Sequence, residues 1–169
     1  MSKEITLGIL GSGQLGTELV KSAKRIGIKK VVVLSDDKEG PAQNFCDEYI
    51  YSDYKDISNL KKFINKIDIC TYEFENLPLE ILNTINQSKK VYPNPNCLRI
   101  AQNRALEKSF ANKLGIKSTE WQNIKSAEEL KKNTHLLPGI LKTNTMGYDG
   151  KGQHRINTIE DIDEKFNFS

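Results

Sequence analysis

The chain of 169 residues carries 25 basic and 22 acidic side chains, which gives a formal net charge of +3. Its hydrophobic share of 37% and its charged share of 28% are those of a globular protein and exclude a disordered chain. Charges of both signs are interleaved, and no apolar run reaches membrane-spanning length, so we expect no nucleic-acid partner and no membrane association. The N-terminus shows no apolar signal segment, which predicts a cytoplasmic protein.

The first part of the chain alternates between short β-branched runs and helical patterns. Continuous apolar runs at 5–10 and 29–35 predict strands that are covered on both faces of a sheet. Between them, apolar residues at helical spacing predict a helix with one apolar face. The residues of this face are Leu15, Leu19, Ala23 and Ile26. Further strands are predicted at 48–52, 68–73 and 89–93, and further helices at 56–67 and 77–87. This alternation predicts a doubly wound α/β unit with a parallel sheet, complete by about residue 95.

The pattern changes at residues 92–96, where two prolines stop strand and helix alike. A long helix is predicted over 97–115, with Asn96 as its N-cap and Gly115 just beyond its C-terminus. This helix separates the α/β unit from the rest of the chain.

The last part of the chain predicts a different architecture. Ser126 and Glu129 form a capping box that opens a short helix. Two strands at 137–144 and 154–159, joined by a glycine-rich turn, predict a hairpin. Since no strands follow that would complete a second core, residues 116–169 are expected to be the beginning of a domain.

Cysteine and histidine are sparse and scattered. Cys46, Cys70 and Cys97 form no C-x-x-C pair, which predicts reduced thiols in a reducing compartment. His135 and His154 have no companion ligands at metal spacing, so no metal site is predicted in this chain.

Residues 11–16, GSGQLG, fit the pattern G-x-G-x-x-G between the first predicted strand and helix. Such glycines allow a tight turn and bring backbone N–H groups to an anion at the positive end of the helix. Asp36, at the end of the second predicted strand, lies where an acid that binds the ribose of a dinucleotide belongs. The loop alone favours an NAD(P)-binding domain, although such turns serve many ligands and also occur without one.

Two carboxylates follow the fourth predicted strand. Glu73 and Glu75 are two residues apart, so strand alternation predicts both on one side, in the crevice at the carboxyl ends of the strands. There they are suited to accept hydrogen bonds from a ribose or an amine. Two solvated carboxylates at a strand end would give the same pattern.

A second glycine loop lies near the end of the chain. Lys142 follows an apolar strand run and is predicted to be largely buried, where an ammonium group needs an anion. Residues 147–152 then form a glycine-rich loop that carries Asp149 and Lys151. This arrangement suits a polyphosphate that is gripped and covered, and an ordinary hairpin turn is the alternative.

Arg104 lies on the long predicted helix. Read alone, it is predicted to be solvated and paired with Glu107. A binding role therefore needs support from elsewhere in the chain.

Four stretches together resemble one family: GILGSGQLG, YEFENLP, PNPNCLRIAQNRALEKSFANKLGI and LKTNTMGYDGKGQ. Their order and spacing are those of the N5-carboxyaminoimidazole ribonucleotide synthetases of the ATP-grasp superfamily, also called the ATPase subunit of phosphoribosylaminoimidazole carboxylase. The resemblance covers essentially the whole chain but only about the first half of a family member. The related formate-dependent glycinamide ribonucleotide transformylases usually have glutamate at the position of Gln14, lack YEFEN and have a serine-rich second loop.

The resemblance implies a Rossmann-like pre-ATP-grasp domain over 1–100, then a linker helix and the N-terminal part of an ATP-grasp domain over 101–169. It implies a purine-biosynthesis ligase that uses ATP, Mg²⁺ and bicarbonate to carboxylate 5-aminoimidazole ribonucleotide at N5 through carboxyphosphate. The residues implied to contact ATP are Arg104, Lys142, Gly147, Tyr148, Asp149, Gly150, Lys151, Gly152 and Gln153. Those implied to contact the ribonucleotide are Gly13, Gln14, Leu15, Glu73 and Glu75, with the first loop at its phosphate end.

The chain departs from the family pattern at two positions. Met146 stands where glycine is frequent, and Asn103 stands where aspartate is usual before Arg104. The family's Mg²⁺ ligands lie in its second half, so no catalytic residue is assigned here, and the chain alone is expected to turn over negligibly. A homodimer is implied for complete members. An NAD(P)-binding domain and a non-catalytic remnant stay open as alternatives.

Overall fold

The computed structural model describes residues 4–147 and 151–162, and the chain divides into two compact units, Met1–Arg99 and Ile100–Ser169. The strands of the first unit are β1 (Thr6–Leu10), β2 (Lys30–Ser35), β3 (Glu48–Tyr51), β4 (Ile69–Tyr72) and β5 (Lys90–Val91). They form one parallel sheet in the order β3-β2-β1-β4-β5. Helices α1 (Gln14–Arg25), α2 (Ile57–Lys66) and α3 (Leu79–Asn86) alternate with them. The predicted doubly wound α/β architecture is therefore confirmed.

Helices cover both faces of the sheet, which explains the continuous apolar runs of β1 and β2. Successive residues of a strand point to opposite faces. Ile9 and Val33 accordingly share a buried cluster with Val20 of α1. Leu10 and Leu34 lie in a second cluster, with buried side chains from α2 and α3. The carboxyl ends of β1, β2 and β4 thus come together on one edge of a well-packed sheet.

Helix α1 is rotated relative to the prediction. Its buried side is formed by Gly16, Thr17, Val20 and Ala23. The predicted apolar face is therefore wrong at Leu15, which is 65% exposed, and at Ile26, which is 79% exposed. Gly16 allows the first turn to pack tightly, because a Cβ atom there would lie only 2.8 Å from the carbonyl oxygen of Gly11. The side of the helix that carries Gly16 therefore faces the sheet.

The single helix predicted over 97–115 is two helices, α4 (Pro95–Ala101) and α5 (Arg104–Lys113). The break falls at Asn103, whose side-chain oxygen accepts a hydrogen bond from the N–H of Leu106 at 3.0 Å. Asparagine competes with the helical backbone for hydrogen bonds, so it is better placed at an N-cap than within a helix. The sequence prediction overlooked this internal cap.

The outer ends of this helical pair differ in how well the sequence predicts them. Asn96 lies within α4, and the side-chain oxygen of Asn94 instead accepts from the N–H of Asn96 at 2.9 Å. Asn96 as N-cap is therefore wrong by two residues. Gly115 has a φ of +77° just beyond α5, which confirms its predicted place after the helix end.

The second unit contains α5, α6 (Ala127–Lys132) and a hairpin of β6 (Gly139–Lys142) and β7 (Gln153–Ile156). The strands are antiparallel, which confirms the predicted hairpin. Ser126 caps α6 by accepting from the N–H of Glu129 at 3.1 Å, while the carboxylate of Glu129 accepts from the N–H of Lys125 at 2.8 Å. Short 3-10 helices occur at Pro41–Asn44, Thr134–Leu136 and Ile159–Asp161. Within the described ranges, no helix is both long and apolar enough to cross a bilayer.

Candidate functional site

The first glycine loop and Glu73 are brought together by the sheet. β1 and β4 are neighbours, with Leu10 paired to Tyr72 at their carboxyl ends. Beyond this pair, the N–H of Glu73 donates to the carbonyl of Leu10 at 3.1 Å. On the other side, the N–H of Gly11 donates to the carbonyl of Leu34 at 2.9 Å, and Gly11 has a φ of +97° that favours glycine. The loop therefore opens directly beside the Glu73 side chain.

The Glu73 carboxylate accepts hydrogen bonds from two backbone N–H groups of the loop. Its Oε1 accepts from the N–H of Gly13 at 2.7 Å, and its Oε2 accepts from the N–H of Gly16. We call these two hydrogen bonds the loop–carboxylate contact. A Cβ atom on Gly11 would lie 2.4 Å from Cγ of Glu73, and one on Gly16 would lie 2.8 Å from its Oε2. The glycine spacing is therefore explained by the close approach of an internal carboxylate.

This contact removes the main support for a dinucleotide site. The G-x-G-x-x-G interpretation places a ligand phosphate at the N–H groups that begin α1. In this structure, two of those N–H groups already donate hydrogen bonds to the Glu73 carboxylate. Asp36 is exposed just after the end of β2, as predicted from its position, but the loop that should hold the pyrophosphate is filled from within the chain.

Glu75 does not share the surroundings of Glu73. β4 ends at Tyr72, so the alternation argument that placed both carboxylates on one side does not extend to Glu75. Glu73 is half-buried at the loop, whereas Glu75 is exposed. The expected pair is thus one carboxylate held by the loop and one at the surface.

A cluster of hydroxyl groups behind the loop was not predicted. The Ser12 hydroxyl donates to Oγ of Ser35 at 2.7 Å, and the Tyr49 hydroxyl donates to Oγ of Ser12 at 2.9 Å. Both serines are buried. Burial also raises the pKa of the nearby Tyr54 well above its ordinary value, so this phenol stays neutral. The available signal was a serine at the end of β2 and another just beyond the end of β1, because the carboxyl ends of adjacent parallel strands meet at one sheet edge.

Arg104 lies against the second glycine loop. Its Nη2 donates to the carbonyl of Gly147 at 2.6 Å, and its backbone N–H donates to the carbonyl of Asn144 at 2.9 Å. A Cβ atom on Gly147 would lie 3.3 Å from that Nη2. The structure thus joins two of the residues implied to contact ATP, and the interpretation of Arg104 as a partner of Glu107 is not what the geometry shows.

Lys142 is exposed, so its predicted burial is wrong. β6 pairs only with β7 among the described strands, and its exposed positions are Ile140 and Lys142. Lys142 pairs with Gln153 across the hairpin. The apolar run was taken as a sign of burial on both faces, but a two-stranded hairpin leaves alternate side chains in solvent.

The ends of the second loop have a defined backbone. Met146 has a φ of +57° and Gly152 a φ of +65°, both in the left-handed region. The N–H of Thr143 donates to the carbonyl of Gly152 at 2.9 Å. Lys151 is exposed, and Tyr148, Asp149 and Gly150 lie outside the described residues. Glycine in the family pattern at position 146 suits this conformation, in which methionine is strained.

The three cysteines are free thiols of differing exposure. Cys70 is buried, Cys46 is half-buried and Cys97 is exposed. Burial raises the pKa of the Cys70 and Cys46 thiols. Over the described part of the chain, no group of three or more His, Cys, Asp or Glu side chains is arranged to hold a metal ion.

The strand order and the glycine loop define a Rossmann-like α/β protein. The family model of the ribonucleotide synthetase pre-ATP-grasp domain matches residues 4–102, and that of the ATP-grasp domain matches residues 109–169. The chain therefore belongs to the family of ribonucleotide synthetase pre-ATP-grasp domains, and it continues into an ATP-grasp sequence.

Three relatives show what the chain is similar to. The N5-carboxyaminoimidazole ribonucleotide synthase of Pseudomonas aeruginosa is 34% identical over 166 residues, which cover 95% of this chain and 44% of that protein. The crystal structure of the Staphylococcus aureus N5-carboxyaminoimidazole synthetase complexed with ADP has a TM-score of 0.89 at 33% identity, covering 99% of this chain and 45% of that one. The Aspergillus clavatus N5-carboxyaminoimidazole synthase in complex with ADP and 5-aminoimidazole ribonucleotide has a TM-score of 0.80 at 28% identity, covering 96% and 43%. The resemblance stated from the motifs is thereby confirmed, and the chain spans less than half the length of each relative.

Proposed function

We propose that the chain is the N-terminal portion of an ATP-dependent N5-carboxyaminoimidazole ribonucleotide synthetase of purine biosynthesis. The observation that carries the proposal is the half-buried Glu73 carboxylate at the carboxyl edge of the sheet, held by the first glycine loop. An ionised carboxylate only accepts hydrogen bonds, so it fits a substrate rich in donors. The 5-aminoimidazole ribonucleotide carries an amine and ribose hydroxyls, and the Aspergillus clavatus relative is described as binding this compound together with ADP.

The proposed reaction consists of two transfers. A bicarbonate oxygen attacks the γ-phosphorus of ATP, the bond to ADP breaks, and carboxyphosphate forms. The amine nitrogen of the ribonucleotide then attacks the carboxyl carbon, inorganic phosphate leaves, and the amine loses a proton. Neither step needs a nucleophilic side chain, so the protein contributes positioning and electrostatic stabilisation of the phosphoryl oxygens.

We assign the ribonucleotide to the first unit. Glu73 would accept a hydrogen bond from a donor of the ribonucleotide, and the exposed Glu75 would approach the ribonucleotide from the same segment after β4. Gln14 and Leu15 are exposed at the start of α1 and are proposed to meet the phosphate end. The family resemblance implied that Gly13 also contacts the ribonucleotide, but its N–H donates a hydrogen bond to Glu73. Any direct contact with the phosphate is therefore assigned to Gln14 and Leu15.

We assign ATP to the second unit. Its support is the hydrogen bond from Arg104 to the Gly147 carbonyl, which places a guanidinium group at the glycine loop. The exposed Lys142 leaves its ammonium group accessible to a phosphate. The further residues proposed to contact ATP are Gly147, Tyr148, Asp149, Gly150, Lys151, Gly152 and Gln153.

Mg²⁺ accompanies ATP in this proposal, but the described residues provide no cluster of acidic ligands for it. We therefore derive no step through the metal from this chain. The acids and asparagine that would hold it are expected in the longer part of the relatives that this chain does not match. A cytoplasmic location, a homodimer and a domain boundary near residue 100 complete the proposal, the boundary supported by the two compact units.

Ligand binding tests the proposal. 5-Aminoimidazole ribonucleotide is titrated calorimetrically into the wild-type chain, into Glu73→Gln and into Glu80→Gln, whose side chain is exposed on α3. We expect saturable binding that Glu73→Gln weakens about tenfold or more, since it removes a hydrogen bond to a charged acceptor. Glu80→Gln should bind like the wild type.

NADH provides the comparison with the dinucleotide alternative. It should give no saturable change in fluorescence anisotropy, because the loop donors are occupied by Glu73. Saturable NADH binding, or a folded chain that does not bind the ribonucleotide, would overturn the proposed function.

A further inference from the structure

We infer that Gly13 and Gly16 are positioning residues for Glu73 and do not bind a ligand phosphate. Their N–H groups donate hydrogen bonds to the two oxygens of the Glu73 carboxylate. Glu73 is 60 residues from Gly13 and 57 residues from Gly16 in the sequence. In this chain, the anion that a glycine loop attracts is supplied by the chain itself. That the positioned carboxylate then receives a donor of the ribonucleotide rests on the proposed function, whereas the loop–carboxylate contact does not.

The electrostatics at the start of α1 support this role. The helix has 12 residues, no acidic residue in its first turn and no side-chain hydrogen bond at its N-cap. The positive end of its dipole therefore lacks a local counter-charge. Glu73, just beyond the end of β4, supplies that charge and also satisfies the N–H of Gly16, which has no partner within the helix.

The four backbone N–H groups of residues 13–16 fall into two pairs. Within the described part of the chain, the N–H groups of Gln14 and Leu15 have no acceptor, whereas those of Gly13 and Gly16 share Glu73. The intrahelical ladder begins with Thr17, whose N–H donates to the Gly13 carbonyl at 3.0 Å. One pair of N–H groups is thus committed to Glu73, and the other pair is not.

The two hydrogen bonds also orient the lone pairs of the Glu73 carboxylate that the loop leaves unoccupied. An ionised carboxylate has about four lone-pair sites, and the loop occupies about two of them. With both oxygens held, the side chain loses rotational freedom before any ligand arrives, which lowers the entropic cost of binding. The backbone of Gly11 and Gly16 comes so close to Glu73 that a side chain at either position would displace it.

Amide hydrogen exchange, measured by NMR on the whole chain without nucleotide, tests the contact. We expect slow exchange for Gly13 and Gly16 and fast exchange for Gln14 and Leu15, which serve as internal controls. Glu73→Gln presents an N–H₂ group to one of the two donors, so it should lose protection at one or both glycines, whereas Glu80→Gln should not. Inorganic phosphate added to the wild type should leave the protection of both glycines unchanged.

Ribonucleotide affinity distinguishes positioning from simple structural support. Gly16→Ala should weaken 5-aminoimidazole ribonucleotide binding about tenfold or more, because Glu73 is displaced. Ser126→Ala removes the N-cap of α6 in the second unit, lowering stability without touching the loop, and should bind like the wild type.

The outcomes distinguish the positioning role of Gly13 and Gly16 from the proposed function. Equal exchange at all four amides, displacement of the Glu73 hydrogen bonds by phosphate, or equal affinity losses in Gly16→Ala and Ser126→Ala would overturn the positioning role. Protected glycines in a folded chain that does not bind the ribonucleotide would leave the loop–carboxylate contact standing and overturn the proposed function.

Discussion

Met146 illustrates how one residue can conflict with its backbone. Its φ of +57° lies in the left-handed region, where a side chain costs about 1–2 kcal/mol and glycine costs much less. Its side chain is 68% exposed, so little packing compensates. The family's frequent glycine at this position has a plain physical reason in this conformation.

Met146→Gly should therefore raise the free energy of unfolding by up to about 1 kcal/mol, the relief of strain outweighing the added chain entropy. Urea denaturation of the chain measures it. Thr145→Gly, at an exposed neighbour without a positive φ, is the control and should be neutral or destabilising. A loss of stability in Met146→Gly equal to that in Thr145→Gly would contradict the strain argument.

The cysteines provide a second residue-scale prediction. Ellman's reagent should modify Cys97 first, since it is exposed, and Cys70 only as fast as the chain unfolds, since it is buried and its pKa is raised by burial. Cys97→Ser should abolish the fast phase. A fast phase of full amplitude in Cys97→Ser would show that another thiol is accessible.

At the scale of elements, α1 and α5 begin with different solutions to the same problem. α5 is capped locally by Asn103, which explains why asparagine serves as well as aspartate at this position. α1 has no such cap and relies on Glu73, the residue that follows strand β4. A local cap is set by a residue adjacent to the helix in the sequence, whereas a cap from a distant part of the chain depends on the sheet order.

Gly16→Ala tests the α1 arrangement through the sign of its effect. Alanine is favoured over glycine in a helix by about 1 kcal/mol, so propensity alone predicts stabilisation. The new Cβ would lie 2.8 Å from both Glu73 Oε2 and the Gly11 carbonyl oxygen, so we expect a net loss of about 1–3 kcal/mol in the free energy of unfolding. Urea denaturation that shows stabilisation would contradict the close approach.

At the scale of the whole molecule, the chain combines a parallel α/β unit with a second unit of two α-helices and one hairpin among its described residues. The matched relatives are more than twice as long. We therefore expect no measurable ribonucleotide-dependent ATP hydrolysis from the isolated chain, assayed by ADP release with Mg²⁺ and bicarbonate. A reaction with an inert salt at equal ionic strength controls for nonspecific effects. Robust turnover by the isolated chain would contradict the assignment of the Mg²⁺ ligands to the part of the relatives that this chain does not match.

Much of the first unit was predictable because its signals are local. Apolar runs and turn residues identified all five strands and three helices, and β1 and β2 are continuously apolar because both faces of the sheet are covered. The same rule misled at Lys142, because a two-stranded hairpin carries a similar run with one side in solvent. The long helix was predicted as one element because an internal asparagine cap resembles an ordinary polar position.

The sequence by itself determined the fold class and the family, because strand periodicity, glycine spacing and four motifs in order are properties of the chain. Only the tertiary structure decided what the first glycine loop holds. The spacing of Gly11, Gly13 and Gly16 is the same whether the bound anion is a phosphate or a carboxylate. Pairing of β1 with β4 brings Glu73 from a distant part of the chain to the start of α1, and a contact created by sheet order leaves no local pattern in the sequence.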